Sequence, residues 1–190
     1  SETAKFTLLP VAKVLLPDGS REVVPGSGEV GMVAQGGMVP LGYYKDPEKS
    51  AKTFKEIDGT RYAFIGDMAT IDVDGTINLL GRGSNCINTG GEKVFPEEVE
   101  EALKLHTEVA DALVFGLEDE RFGSRVAGVV SLEQGGTAEP GDILEAARKL
   151  LASYKLPKDL LVVPVVPRAP NGKADYKTAK SMMANGSLVG

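Results

Sequence analysis

Apolar positions in this chain change their rhythm about halfway along. Through residue 80 they come in short runs broken by glycine, proline and aspartate, the look of strands joined by tight turns. Two such runs, Phe6 to Pro10 and Val11 to Leu16, precede Pro17-Asp18-Gly19, and a third, Val23-Val24, follows it. The triplet is a turn signal, so a hairpin is expected here. A short strand is expected over 29–34, between glycine-rich turns. Asp46, followed by Pro47 and Glu48, predicts a capped helix start, because a side-chain oxygen can take one of the unpaired amides of a first turn and proline needs no donor there. The runs over 61–73 and 76–82 flank Asp74-Gly75 and predict a second hairpin.

Beyond residue 83 the two periods mix. The stretch Ile87 to Val94 predicts a small hairpin around Gly90-Gly91. Val99, Ala102 and Leu103 then recur at helical spacing after Pro96. Residues 110–117 read as a buried strand, 118–123 as a loop and 125–133 as another strand. Ile143, Leu144, Ala147 and Leu151 mark an amphipathic helix over 141–154, stopped at Leu156-Pro157. The apolar run over 160–170 contains Pro164 and Pro167, which confines it to a sheet edge. Asn171-Gly172 is a tight-turn pair, and 175–184 predicts a final helix. The fold class expected is α+β: a β-rich N-terminal subdomain over 1–82, then a small domain over 83–190 with helices packed on one face of a sheet.

Composition narrows the chemistry. The formal net charge of −6 argues against binding held by neutralising nucleic-acid phosphates. No basic run marks a membrane surface, and no apolar stretch approaches the roughly 20 residues needed to span a bilayer. The first residues show no basic and apolar leader pattern. One cysteine, Cys86, and one histidine exclude an internal disulfide and a His/Cys metal cluster, and fit a reducing, cytoplasmic setting. Chemistry therefore falls to Lys, Arg, Asp, backbone amides and a bound ligand.

Five places carry that possibility. Asp67 closes Arg61-Tyr62-Ala63-Phe64-Ile65-Gly66, where glycine admits a close ligand and a carboxylate accepts from two adjacent hydroxyls. Arg82 ends the same hairpin with a planar donor fork. Gly83-Ser84-Asn85 is a stretch able to absorb a backbone change. Gly90 and Gly91 form a turn without side chains. Lys173 sits on the tip made by Pro170-Asn171-Gly172. Taken singly, each also fits a plain strand end, linker, turn or solvated charge.

Taken in order, these motifs resemble the adenylate-forming superfamily: acyl-CoA synthetases, carrier-loading adenylation domains and firefly-type luciferases. The likeness runs from about Gly28 to Lys177. It includes Gly42-Tyr43-Tyr44-Lys45-Asp46-Pro47-Glu48 and Ser153-Tyr154-Lys155-Leu156-Pro157, the latter read as packing. The run Glu92 to Glu100, EKVFPEEVE, looks like the CoA-ligase form, and the texture is similar to long-chain or steroid-side-chain ligases of actinobacterial type. The resemblance implies that Asp67 and Arg82 hold the ribose of ATP and that Ser84 is the hinge pivot. It further implies that Gly90-Gly91 line the pantetheine path of CoA and that Lys173 serves adenylation. Ile65, Ser84 and Asn88 depart from the family's usual Thr, Asp or Lys, and Lys. Arg121 and Arg125 read as solvated loop charges, with a CoA phosphate as the alternative.

On that resemblance the chain is the C-terminal part of a ligase. Residues 1–82 are the terminal β-subdomain of its adenylation domain, and 83–190 its mobile lid. The family's phosphate loop and its Tyr-Gly-x-Thr-Glu segment do not occur in the sequence, nor does a protein metal site. The expected cofactors are therefore ATP and Mg2+ held largely outside this chain, with CoA as co-substrate, and the isolated chain is expected to be inactive. The expected partners are a carboxylic acid, ATP, CoA and the remaining adenylation domain. A carrier-protein-loading domain and a non-enzymatic interaction domain of the same fold are the alternatives.

Overall fold

A computed structural model describes the backbone of residues 5–6 and 11–186, with side chains from residue 11 onward. The chain forms two compact units that divide between Ser84 and Asn85. The rest of the first apolar run, residues 7–10, lies outside the described residues.

The first unit is one six-stranded antiparallel sheet. Its strands are β1 (Lys5–Phe6), β2 (Ala12–Leu15), β3 (Gly31–Gln35), β4 (Phe54–Ile57), β5 (Thr60–Ile71) and β6 (Ile77–Arg82). The order is β1-β6-β5-β3-β2, with β4 also paired to β5. Successive side chains of a strand point to opposite faces. Adjacent Val14 and Leu15 accordingly enter different cores, the first with Val23, Ala69, Ile71 and Ile77, the second with Ala34, Tyr62 and Phe64. The expected Asp74-Gly75 hairpin is present as β5–β6. The turn at Pro17-Asp18-Gly19 forms too, but its return arm makes only an isolated bridge, Leu15 to Glu22. The ladder of β2 goes instead to β3, which begins at Gly31 rather than Glu29. Helix α1 (Pro47–Thr53) starts as expected, with the Asp46 carboxylate accepting from the Lys49 amide.

The second unit opens with the hairpin β7 (Ile87–Thr89) and β8 (Glu92–Val94), followed by α2 (Pro96–Lys104). Then come β9 (Val109–Asp119), β10 (Gly123–Leu132), α3 (Pro140–Arg148), β11 (Asp159–Val162) and α4 (Tyr176–Gly186). The sheet order is β11-β10-β9, antiparallel between β9 and β10 and parallel between β10 and β11. β11 is an edge strand, and it stops before Pro164. α3 ends at Arg148, and a separate 3-10 turn covers Ser153–Lys155.

One expectation needs correction: the helices do not share one face of this sheet. Ala112, Val114, Val126 and Val130 pack with Val99, Leu103, Ile143 and Ala147 of α2 and α3. The alternate residues Leu113, Phe115, Ala127 and Val129 pack with Ala179 and Met183 of α4. An unbroken apolar run such as Ala112 to Phe115 places apolar groups on both faces, so both must be covered. No helix among the described residues is long and apolar enough to cross a membrane.

Candidate functional site

In the first unit, Asp67 and Arg82 are direct partners across the β5–β6 ladder. The Arg82 Nε lies 2.8 Å from Asp67 Oδ1, and its Nη1 donates to the Ile65 carbonyl at 2.8 Å. The local backbone makes this possible. The β3–β5 register slips between Met32 and Ala34, so residues 65–67 stand opposite the single Val33. Gly66 carries the bulge with φ of +92°, a conformation that costs a residue with a Cβ. Ile65 turns its side chain outward and contributes its carbonyl. A carboxylate beside an arginine fork offers an acceptor and donors within one reach, which suits a pair of adjacent hydroxyls.

Ser84 is exposed in a 3-10 turn over Gly83–Asn85, at the division between the two units. In the second unit, Gly90 and Gly91 have φ of +60° and +90°, the paired left-handed conformation of a tight two-residue hairpin turn. The tip is anchored: the Gly90 amide donates to the Phe122 carbonyl at 3.0 Å. A Cβ on Gly90 would stand 3.2 Å from the Phe122 ring, whereas one on Gly91 would meet nothing within 4 Å. Asn88 is exposed on β7.

Lys173 is exposed on a turn closed by several hydrogen bonds. The Ala169 amide donates to the Lys173 carbonyl at 2.8 Å, and the Gly172 amide to the Ala169 carbonyl at 2.8 Å. Asn171 Oδ1 accepts from the Lys173 amide at 3.1 Å. Arg168 and Ala174 form a bridge at its base. Past the turn, Asp175 caps α4 by accepting from the Thr178 amide and hydroxyl at 3.0 and 2.7 Å.

Several residues around this turn escape sequence reasoning because their partners are distant in the chain. Arg168 grips Asp111 at the start of β9 with contacts of 2.8, 3.0 and 3.1 Å. The Tyr176 hydroxyl accepts from Asn85 Nδ2 at 3.3 Å. Burial pushes the Tyr176 phenol up to about 12, helped by Glu100 and Glu97. Glu100 accepts from the Val114 amide at 2.9 Å, yet burial pushes its carboxyl up to about 7. The run of glutamates after Pro96 was visible; which of them turns inward was not.

The two candidate tips of the second unit flank opposite ends of β9. The lysine turn is tied to Asp111 near its start, and the glycine hairpin to Phe122 just past its end. Asp111 and Asp119 alone are separated by on the order of 25 Å of strand. Arg125 is committed to Asp159 at 2.6 Å and to the Glu118 carbonyl at 2.7 Å, so it is not a spare cation. The Arg121 guanidinium stacks on the Phe122 ring at 5.0 Å. Lys155 pairs with Glu98 at 2.7 and 2.8 Å, and Leu156 is buried, as a packing segment should be.

The profile of the AMP-binding enzyme C-terminal domain matches residues 98–173. Residues 98–173 belong to the AMP-binding enzyme C-terminal domain family. The chain is 51% identical over 166 residues, 87% of its length, to a 3-oxocholest-4-en-26-oate CoA ligase of Rhodococcus rhodochrous. It is 50% identical over 167 residues, 88% of its length, to a medium/long-chain-fatty-acid and 3-oxocholest-4-en-26-oate CoA ligase of Mycobacterium tuberculosis. The chain spans about 30% of the length of each of these relatives. Among solved structures it is similar to ATP-bound MatB of Rhodopseudomonas palustris, with TM-score 0.76 and 30% identity, over 93% of this chain and 35% of the other. Among the described residues no group of three or more His, Cys, Asp or Glu side chains is placed to hold a metal ion.

Proposed function

We propose that this chain is the C-terminal part of an AMP-forming acyl-CoA synthetase acting on a fatty acid or a steroid side-chain acid. Residues 1–82 then complete its adenylation domain, and 83–190 form a lid that turns about Ser84. The observation that carries this reading is the placement of the lysine turn and the glycine hairpin at opposite ends of β9. A rigid unit with two tools so far apart cannot bring both to one reacting centre in a single orientation. It must turn between steps. CoA-ligase names among the relatives support the substrate class.

In the first step a carboxylate oxygen attacks the α-phosphorus of ATP and the bond to pyrophosphate breaks. Negative charge gathers on the phosphoryl oxygens, and the Lys173 ammonium offsets it. Asp67 and Arg82 hold the ribose hydroxyls and so fix the α-phosphate. In the second step the CoA sulfur attacks the acyl carbonyl carbon, the thiol proton is lost and AMP leaves. Gly90 and Gly91 line the path of the pantetheine arm, where a side chain would obstruct it. Mg2+ would come with the phosphates of ATP and supply positive charge beside them. Since the phosphate loop and the Tyr-Gly-x-Thr-Glu segment do not occur in this sequence, the isolated chain is inactive.

Lys173→Ala in the full-length protein tests the assignment. Acid-dependent pyrophosphate exchange should fall by about 100-fold or more, while thioester formation from preformed acyl-AMP persists. Unchanged exchange would remove Lys173 from the reaction. Adenylation indifferent to CoA would favour a carrier-protein acceptor, and no acid-dependent AMP release across fatty, aromatic and steroid acids would favour an interaction domain.

A further inference from the structure

We propose that Arg168, through its two-pronged grip on Asp111, is a positioning residue that sets the direction of the Lys173 turn; this rests on the adenylation role of Lys173. The turn itself is stiff. Its backbone bonds, the Asn171 side chain and the Arg168–Ala174 bridge close residues 168–174 into one small body. Such a body can still rock on its stem. The stem packs on the sheet through Val166 and Ala174, and the Arg168 side chain adds a directional polar tie: its Nε and Nη2 meet both Asp111 oxygens and its Nη2 also reaches the Ala112 carbonyl at 3.3 Å.

A planar fork on a carboxylate fixes angle as well as distance, which a lysine at the same place would not do. The carboxylate is itself held, since Asp111 Oδ1 accepts from the Ala112 amide at 2.8 Å. The stem thus inherits the rigidity of β9. The partners are also sheltered, with each side chain 35% exposed, and the guanidinium is held further in its charged form by Asp111 and then by Glu100. A cation that must meet a transient charge gains from such aim, because displacements near 1 Å cost about 100-fold in rate.

The test compares Arg168→Gln, Arg168→Lys, Asp111→Asn and the exchanged pair Arg168→Asp with Asp111→Arg, all in the full-length protein, with Lys173→Ala alongside. Three quantities are read: acid-dependent pyrophosphate exchange, thioester formation from preformed acyl-AMP, and melting temperature. Arg168→Gln and Asp111→Asn should lower kcat of exchange by about 10-fold or more, with little change in KM for ATP and with the thioester step intact. Arg168→Lys should recover part of the loss, and the exchanged pair more than either of its single changes. Wild-type exchange in Arg168→Gln overturns the proposal, as does an equal fall in both half-reactions together with the melting temperature, which is the mark of a brace for the fold alone. If Lys173→Ala leaves exchange intact, the Lys173 reading fails first and the positioning role falls with it.

Discussion

Glu100 shows at the scale of one residue how burial overrides local pattern. It sits in an acidic run on α2, yet its carboxyl faces the Val114 amide with Glu97, Lys104, Arg168 and Tyr176 around it. Desolvation raises its pKa from the usual 4.5 to about 7. Between those values the folded protein binds more protons than the unfolded chain. The Glu100 contribution is therefore fully present below about pH 4.5 and is lost as pH rises through 7, by up to about 3 kcal/mol. Glu100→Gln should flatten that part of the stability profile and be the more stable form at pH 8, as urea unfolding at several pH values would show. At the same scale, Asp67→Asn keeps size and one acceptor but removes charge beside Arg82. In the full-length protein it should raise the KM for ATP by about 10-fold and leave the thioester step from preformed acyl-AMP nearly unchanged.

At the scale of elements, the β7–β8 hairpin and α2 differ in how their sequences dictate them. The hairpin is local: two consecutive glycines supply the backbone signs that a two-residue turn requires, and Gly90 must also pass close to Phe122. Gly90→Ala should destabilise the second unit by about 1 kcal/mol or more, measured by thermal melting. Gly91→Ala meets only the backbone cost. Helix α2 was legible from Val99, Ala102 and Leu103 because they fall on one stripe, and all three are buried. Leu103→Ala should cost about 2 to 5 kcal/mol. The end of α3 was less legible. Its apolar spacing continues to Leu151 while the helix stops at Arg148, and the Lys149, Leu150 and Leu151 amides close that end by donating back to the Ala146 and Ala147 carbonyls.

For the whole chain, each unit carries its own core, so the two should behave as separate folding bodies. Limited proteolysis is expected to cut within residues 83–85, where Ser84 is exposed. A polypeptide of residues 85–186 should retain a cooperative thermal transition of its own. Leu103→Ala should lower that transition and leave the other unit's unchanged. A single transition shifted as a whole would show that the units fold as one. The helical layers belong to this scale as well. Three helices after residue 85 could be counted from the sequence, but their split across two faces depends on which face each connection crosses.

The local rules acted through chemistry held within a few residues. Turn pairs, the Asp46 cap, the strand alternation and the motif order that points to the adenylate-forming enzymes all depend on neighbours close in the chain, and these were readable. The tertiary structure decided whatever required partners far apart. It paired Arg168 with Asp111 and Tyr176 with Asn85, turned Glu100 inward, placed α4 opposite α2 and α3, and set the lysine turn and the glycine hairpin at opposite ends of β9. The physical reason is common to all of them. Burial and ion pairing depend on the distance through space, and only the folded chain makes residues separated by dozens of positions into neighbours.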